Sequence, residues 1–135
     1  MNVLVDTVVW STVLRRARAS AMGAVAAELE ALIREGRVVT IGAIRQEVLS
    51  GVRSREQFEL LRGKLRAFAG PRMDRTDYEN AAACYNDCRA RGVQGGHVDM
   101  LICAVALRWD LPVFTTDGDF LHYSRVLGLR LHEPR

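Results

Sequence analysis

A three-layer α/β/α sandwich around a central, mainly parallel sheet is the fold class predicted for this 135-residue chain, and three observations predict it. Short apolar runs alternate with stretches of helical period, the pattern of strands joined by helical crossovers. Val3-Leu4-Val5 and Val113-Phe114-Thr115-Thr116 are apolar enough to be strands buried on both faces. Carboxylates follow both runs directly, Asp6 after the first and Asp117 and Asp119 after the last. In an open parallel sheet, ligands bind in the crevice outside the carboxyl ends of the strands. The length suits one domain, residues 1–135, with a single core.

Each element has a local reason. After Asp6, Thr7 is placed to cap a short helix through about Arg16 that offers Val9, Trp10 and Val13 for burial. From Ser20 to Glu35, Met22, Val25, Ala26, Leu29, Leu32 and Ile33 recur with a 3.6-residue period, and Gly36 follows where a helix end favours glycine. Residues 37–41 read as a second strand, and a helix from Gly42 to Gly51 carries Ile44 and Val48 on one face and Glu47 on another. Ser54 to Gln57 and Thr76 to Glu79 both have the form of capping boxes, opening helices through about Phe68 and Arg91, and Gly70-Pro71 stops the first. Asp99 opens a helix that is apolar nearly all round, through Ile102, Cys103, Ala106 and Leu107, and Leu111-Pro112 breaks it before the strand at residues 113–116. The tail reads as a short helix and an edge strand at Leu129-Arg130-Leu131.

Composition narrows the function classes. No segment reaches the roughly 20 apolar residues that span a bilayer, and the N-terminus lacks a basic head and apolar core, so a cytoplasmic protein without membrane contact is expected. Three cysteines, Cys84, Cys88 and Cys103, do not suggest a disulfide framework. Cys84 and Cys88 with His97 lack the second ligand pair of a zinc site. All but Lys64 of the 19 basic residues are Arg, the side chain suited to bidentate phosphate contacts. If Asp6, Glu47, Asp99, Asp117 and Asp119 share one cleft, the 16 acids less those five leave 11 against 19 basic residues elsewhere. A surface with that surplus attracts a polyanion.

Each acid also has a plain structural reading. Asp6 and Asp117 could only cap the helices that follow them, and Glu47 could be solvated helix surface. Asp99 is harder to dismiss, because a carboxylate beside Cys103 and Ala106 on an apolar helix needs a partner and no cation sits on its own turn. Several carboxylates without cations repel one another unless a hard divalent ion, Mg²⁺ or Mn²⁺, joins them. Such an ion orients water for attack on a phosphodiester and stabilises the leaving oxygen. A haloacid-dehalogenase-type site would need an acid at Val8, a phosphoacceptor receiver would need a lysine nearer than Lys64, and no Walker loop or dinucleotide fingerprint is present. His122 and His132 read as surface residues.

Four stretches together, VLVDTVVW, IRQEVLSGV, HVDMLICAVAL and VFTTDGDF, resemble the PIN-domain proteins, specifically the VapC toxins of type II toxin–antitoxin modules, over essentially the full chain. The resemblance implies a Mg²⁺- or Mn²⁺-dependent endoribonuclease with Asp6, Glu47, Asp99 and Asp117 as catalytic metal ligands and Asp119 as a supplementary one. It also implies a homodimer that cuts transfer or ribosomal RNA and is silenced by a VapB-type antitoxin. The opening motif departs from the commoner form, which has Ser or Asn where Val8 stands. A catalytically inactive PIN-like module that binds RNA or protein is the alternative; a DNA or flap nuclease of the wider superfamily would need more gripping helices than this length holds.

Overall fold

Three parallel strands, β1 (Val3–Val5), β2 (Val38–Val39) and β3 (Val113–Phe114), form a sheet in the order β2-β1-β3. Val3 and Leu4 pair with Val38 and Val39 on one side, and Leu4 and Val5 with Val113 and Phe114 on the other. The computed structural model describes residues 1–15 and 23–135. Val3, Leu4 and Val5 are all fully buried although alternate side chains of a strand point to opposite faces, so helices cover the sheet on both sides. The helices are α1 (Thr7–Arg15), α2 (Gly23–Arg34), α3 (Gly42–Leu49), α4 (Arg55–Leu65), α5 (Arg75–Ala90), α6 (His97–Arg108) and α7 (Asp119–Leu127). No described helix is long and apolar enough to cross a membrane.

The connections set where a site can form. The chain leaves β1 for β2 on one side, whereas it leaves β3 through α7 for Leu131, which bridges Val113 in parallel on the other side. Strand order therefore switches between β1 and β3, and the crevice beyond their carboxyl ends is the place where an open α/β sheet offers a ligand site. Asp6 stands at one lip and Asp117 at the other.

Several expectations are revised. The second strand is two residues rather than 37–41, and β3 stops at Phe114, after which the Thr115 side chain donates to the Asp6 carboxylate. The expected edge strand at 129–131 is a single bridge, held by Val113 N–H to the Arg130 carbonyl (3.0 Å) and His132 N–H to the Val113 carbonyl (2.8 Å). Among the described residues α2 begins at Gly23; the expected first turn at 20–22 and the expected helix end at Arg16 lie outside them. Thr7 is not the cap of α1: Asp6 precedes the helix and its Oδ1 accepts the Thr7 N–H at 2.7 Å.

The box at α5 is built two residues before the expected one. Asp74 accepts from the Asp77 N–H, and Asp77 accepts from the Asp74 N–H at 2.9 Å. Asp77 is buried, and Arg108 from α6 donates to both aspartates at 3.0 Å, so the ion pair also clamps α5 to α6. At α4, Ser54 does accept the Gln57 N–H (3.2 Å). His132 is not a surface residue: its ring meets Phe114 edge-on at 5.5 Å and its Nε2 lies 2.5 Å from the carboxylate of buried Glu28. Arg135 donates to the same carboxylate, so the tail supplies the partners that a buried glutamate on α2 requires.

Candidate active site

Asp6 follows β1, Asp99 lies in the first turn of α6, Asp117 lies between β3 and α7, Asp119 opens α7, and Glu47 lies in the last turn of α3. Asp6 is 4% exposed, Asp99 and Asp117 are half-buried, and Glu47 and Asp119 are open to solvent. Asp99 feels the negative charges of Asp117, Glu47 and Asp119, and Asp6 feels those of Asp99 and Asp117. All five therefore lie within electrostatic reach of one site, with Asp99 the member that senses most of the others.

Hydroxyl groups hold the acids. Thr115 donates to Asp6 Oδ2 (2.7 Å), Tyr123 donates to Asp99 Oδ2 (2.7 Å), and Thr7 donates to Glu47 Oε1 (2.6 Å). Asp117 Oδ1 accepts the Asp119 N–H at 2.9 Å, which ties it to the first residue of α7, although the cap position itself is Gly118 and has no side-chain cap bond. Among the described residues no Arg, Lys or His is ion-paired with any of the five. A cluster of carboxylates oriented only by neutral donors keeps its negative charge for something else.

That charge has a measurable cost. Burial pushes the Asp6 carboxyl from 3.8 up to about 6, against the pull of the Thr115 and Thr7 hydrogen bonds and with added repulsion from Asp99 and Asp117. Burial likewise raises Asp99, opposed by the Tyr123 hydrogen bond. Because folding raises the Asp6 pKa, its contribution to stability is complete below 3.8 and is lost as pH rises through about 6. Integrated over that shift the loss is up to about 3 kcal/mol. Thermal melts of the metal-free chain across this window should show the wild type losing stability relative to Asp6→Asn as pH rises. Parallel pH profiles for the two proteins would refute this assignment of the cost.

The donor set fits a hard divalent cation: every candidate ligand is an oxygen, and a bound cation would offset the mutual repulsion that adds to burial in raising Asp6 and Asp99. Among the described residues no three His, Cys, Asp or Glu side chains lie close enough to enclose one ion. This arrangement suits Mg²⁺, which keeps several waters and uses one or two carboxylates with substrate phosphate rather than a closed protein cage. Sequence reasoning missed Thr7, Thr115 and Tyr123 as supports. The two threonines neighbour acids in the chain, but Tyr123 is 24 residues from Asp99 and leaves no local signal.

The PIN domain family model matches residues 3–126. The chain belongs to the PIN-domain family. No curated protein matches it. Among solved structures this PIN domain is similar to FitAcB from Neisseria gonorrhoeae, with a TM-score of 0.75 and 22% identity over 98% of this chain and 97% of that one. It is also similar to VapBC-1 from nontypeable Haemophilus influenzae (TM-score 0.75, 16% identity, 98% of both chains). A further similar structure is VapBC-5 from Mycobacterium tuberculosis, a member of the VapBC family of toxin–antitoxin systems (TM-score 0.67, 20% identity, 96% of both chains). At these identities the likeness is one of fold. The PIN-domain fold accounts for the crevice at the switch between β1 and β3.

Proposed function

We propose that this PIN domain is a Mg²⁺- or Mn²⁺-dependent endoribonuclease, the VapC-type toxin of a type II toxin–antitoxin module. The observation that carries the reading is the group of acids around Asp99, within electrostatic reach of it and unpaired with any cation among the described residues, four of them steadied by neutral donors. One or two of Asp6, Asp99 and Asp117 would hold the ion directly and the remainder through water, with Glu47 and Asp119 at the open side of the crevice. When bound, the ion supplies a water of lowered pKa and neutralises charge developing on the phosphodiester. The residues of the chain do the rest: Thr115, Tyr123 and Thr7 orient the acids, and buried β1 and β3 keep Asp6 and Asp117 in register.

Structured RNA, transfer or ribosomal, is the substrate we assign. Exposed Arg53, Arg72, Arg91 and Arg125 supply phosphate contacts outside the acidic crevice. A VapB-type antitoxin is the assigned partner, supported by similar structures that carry toxin–antitoxin names. A groove of about 510 Å³ lined by Leu14, Val48, Val52, Leu60 and Leu61 and edged by Arg53 and Lys64 is complementary to an apolar, acidic segment of such a partner. A homodimer is assigned to a second groove of about 650 Å³, lined by Ala43, Pro71, Met73, Tyr78, Val98 and Leu101. This face lies on α3, α6, the segment before α5 and Tyr78 of α5.

The test is incubation of the purified chain with total transfer and ribosomal RNA in Mg²⁺, Mn²⁺ or chelator. Discrete fragments that appear only with metal are expected. Intact RNA after incubation with folded, metal-loaded, antitoxin-free protein would favour the inactive RNA- or protein-binding module.

A further inference from the structure

Tyr123 lies on the inner face of α7, 1% exposed, with its ring edge-on to Phe120 at a centroid distance of 5.0 Å. Its hydroxyl donates to Asp99 Oδ2 at 2.7 Å. The loop before α6 closes directly over that phenol. A Cβ placed on Gly95 would stand 2.8 Å from the Tyr123 hydroxyl oxygen, 2.9 Å from its Cζ and 2.6 Å from Met100 Cε. Contacts this short do not occur for real Cβ atoms, so a residue with a side chain at position 95 must displace the phenol, the methionine or the loop.

We infer that Tyr123 is a positioning residue for metal binding: its phenol, seated between the Gly95 backbone and Phe120, fixes the Asp99 carboxylate in the orientation that receives a divalent ion. This inference rests on the metal-site reading above. The chemistry favours a phenol in this role. A neutral donor locks one oxygen of a carboxylate and leaves the other free, without adding a positive charge that would compete with the ion. An Arg or Lys donor would do the opposite. Thr115 and Thr7 act in the same sense on Asp6 and Glu47, but both are only partly buried. Tyr123 is held by the core itself, so its hydroxyl has no freedom to follow a carboxylate that moves.

Mn²⁺ titration followed by electron paramagnetic resonance, on full-length wild type, Tyr123→Phe and Gly95→Ala, tests this, with a thermal melt of each metal-free protein alongside. The Phe variant keeps the ring and its packing and removes only the donor. It is expected to melt cooperatively and to bind Mn²⁺ about 10- to 100-fold more weakly than the wild type. Gly95→Ala keeps the hydroxyl but pushes it off Asp99, and is expected to weaken binding in the same direction; it carries the test if the Phe variant does not fold. Wild-type affinity in a folded Tyr123→Phe protein would overturn the inference. Absence of Mn²⁺ binding in the wild type is a different result, and would overturn the metal-site reading together with it.

Discussion

Asp99→Asn is expected to keep the fold and the RNA affinity of the wild-type chain while losing more than about 100-fold in cleavage rate. The bound follows from comparison: residues that only support metal ligands cost about 10- to 100-fold when removed, and a direct ligand must cost more. Retention of the fold follows from what Asp99 contributes without metal. Its carboxyl is held above its ordinary range by burial, and it faces the charges of Asp117, Glu47 and Asp119. Asparagine has the same shape, its Oδ1 can still accept from Tyr123, and the repulsion is gone. The metal-free variant should therefore melt no lower than the wild type. Melting by circular dichroism, a gel-shift with transfer RNA and the cleavage assay check the three parts separately. A variant that fails to fold would make Asp99 a structural residue and leave the activity without its central acid.

Gly70→Ala is expected to destabilise the chain by at least about 3 kcal/mol, the upper end of ordinary overpacking. A Cβ at this position would lie 1.7 Å from the Thr40 carbonyl oxygen and 2.8 Å from its carbonyl carbon. Both atoms are backbone, so no side chain can swing away to make room. The strand end at β2 and the segment after α4 are tied there by the Thr40 N–H to Ala69 carbonyl bond at 3.1 Å, which the methyl group would force apart. Thr40 and Ile41 lead straight into α3, which carries Glu47, so the loss should also displace that acid. For a domain of this size a loss of about 3 kcal/mol corresponds to a fall of about 10 °C in Tm. A Gly70→Ala protein that melts within a degree or two of wild type would show that the backbone approach at this turn is not as close as described.

What could be read from the sequence, and what could not, divides along physical lines. The parallel sheet was legible because Val3-Leu4-Val5 and Val113-Phe114 are apolar without alternation and helical periods lie between them. The positions of Asp6, Asp99, Asp117 and Asp119 were legible because strand ends and helix starts are fixed by local pattern; Glu47, in the last turn of α3, carries no such mark. Strand lengths were overread, since Thr115 and Thr116 have strand propensity but backbone pairing ends at Phe114, a limit set by neighbours distant in sequence. The burial of His132 was missed for the same kind of reason: its partner Glu28 is 104 residues distant. Gly70 looked like a helix stop, and only the fold shows that it is also where two backbone segments meet. Tyr123 has nothing nearby in sequence to mark its hydroxyl, because the carboxylate it holds is 24 residues away.

The central claim is that the crevice between β1 and β3 is a divalent-cation site built from Asp6, Asp99 and Asp117. Its most direct test is an anomalous difference map from crystals of the chain soaked in Mn²⁺ at neutral pH. The account predicts a peak within about 2.2 Å of oxygens from at least one or two of these carboxylates, with water completing an octahedron. A well-ordered crevice with no such peak, at Mn²⁺ concentrations that fill other sites in the same crystal, would contradict it.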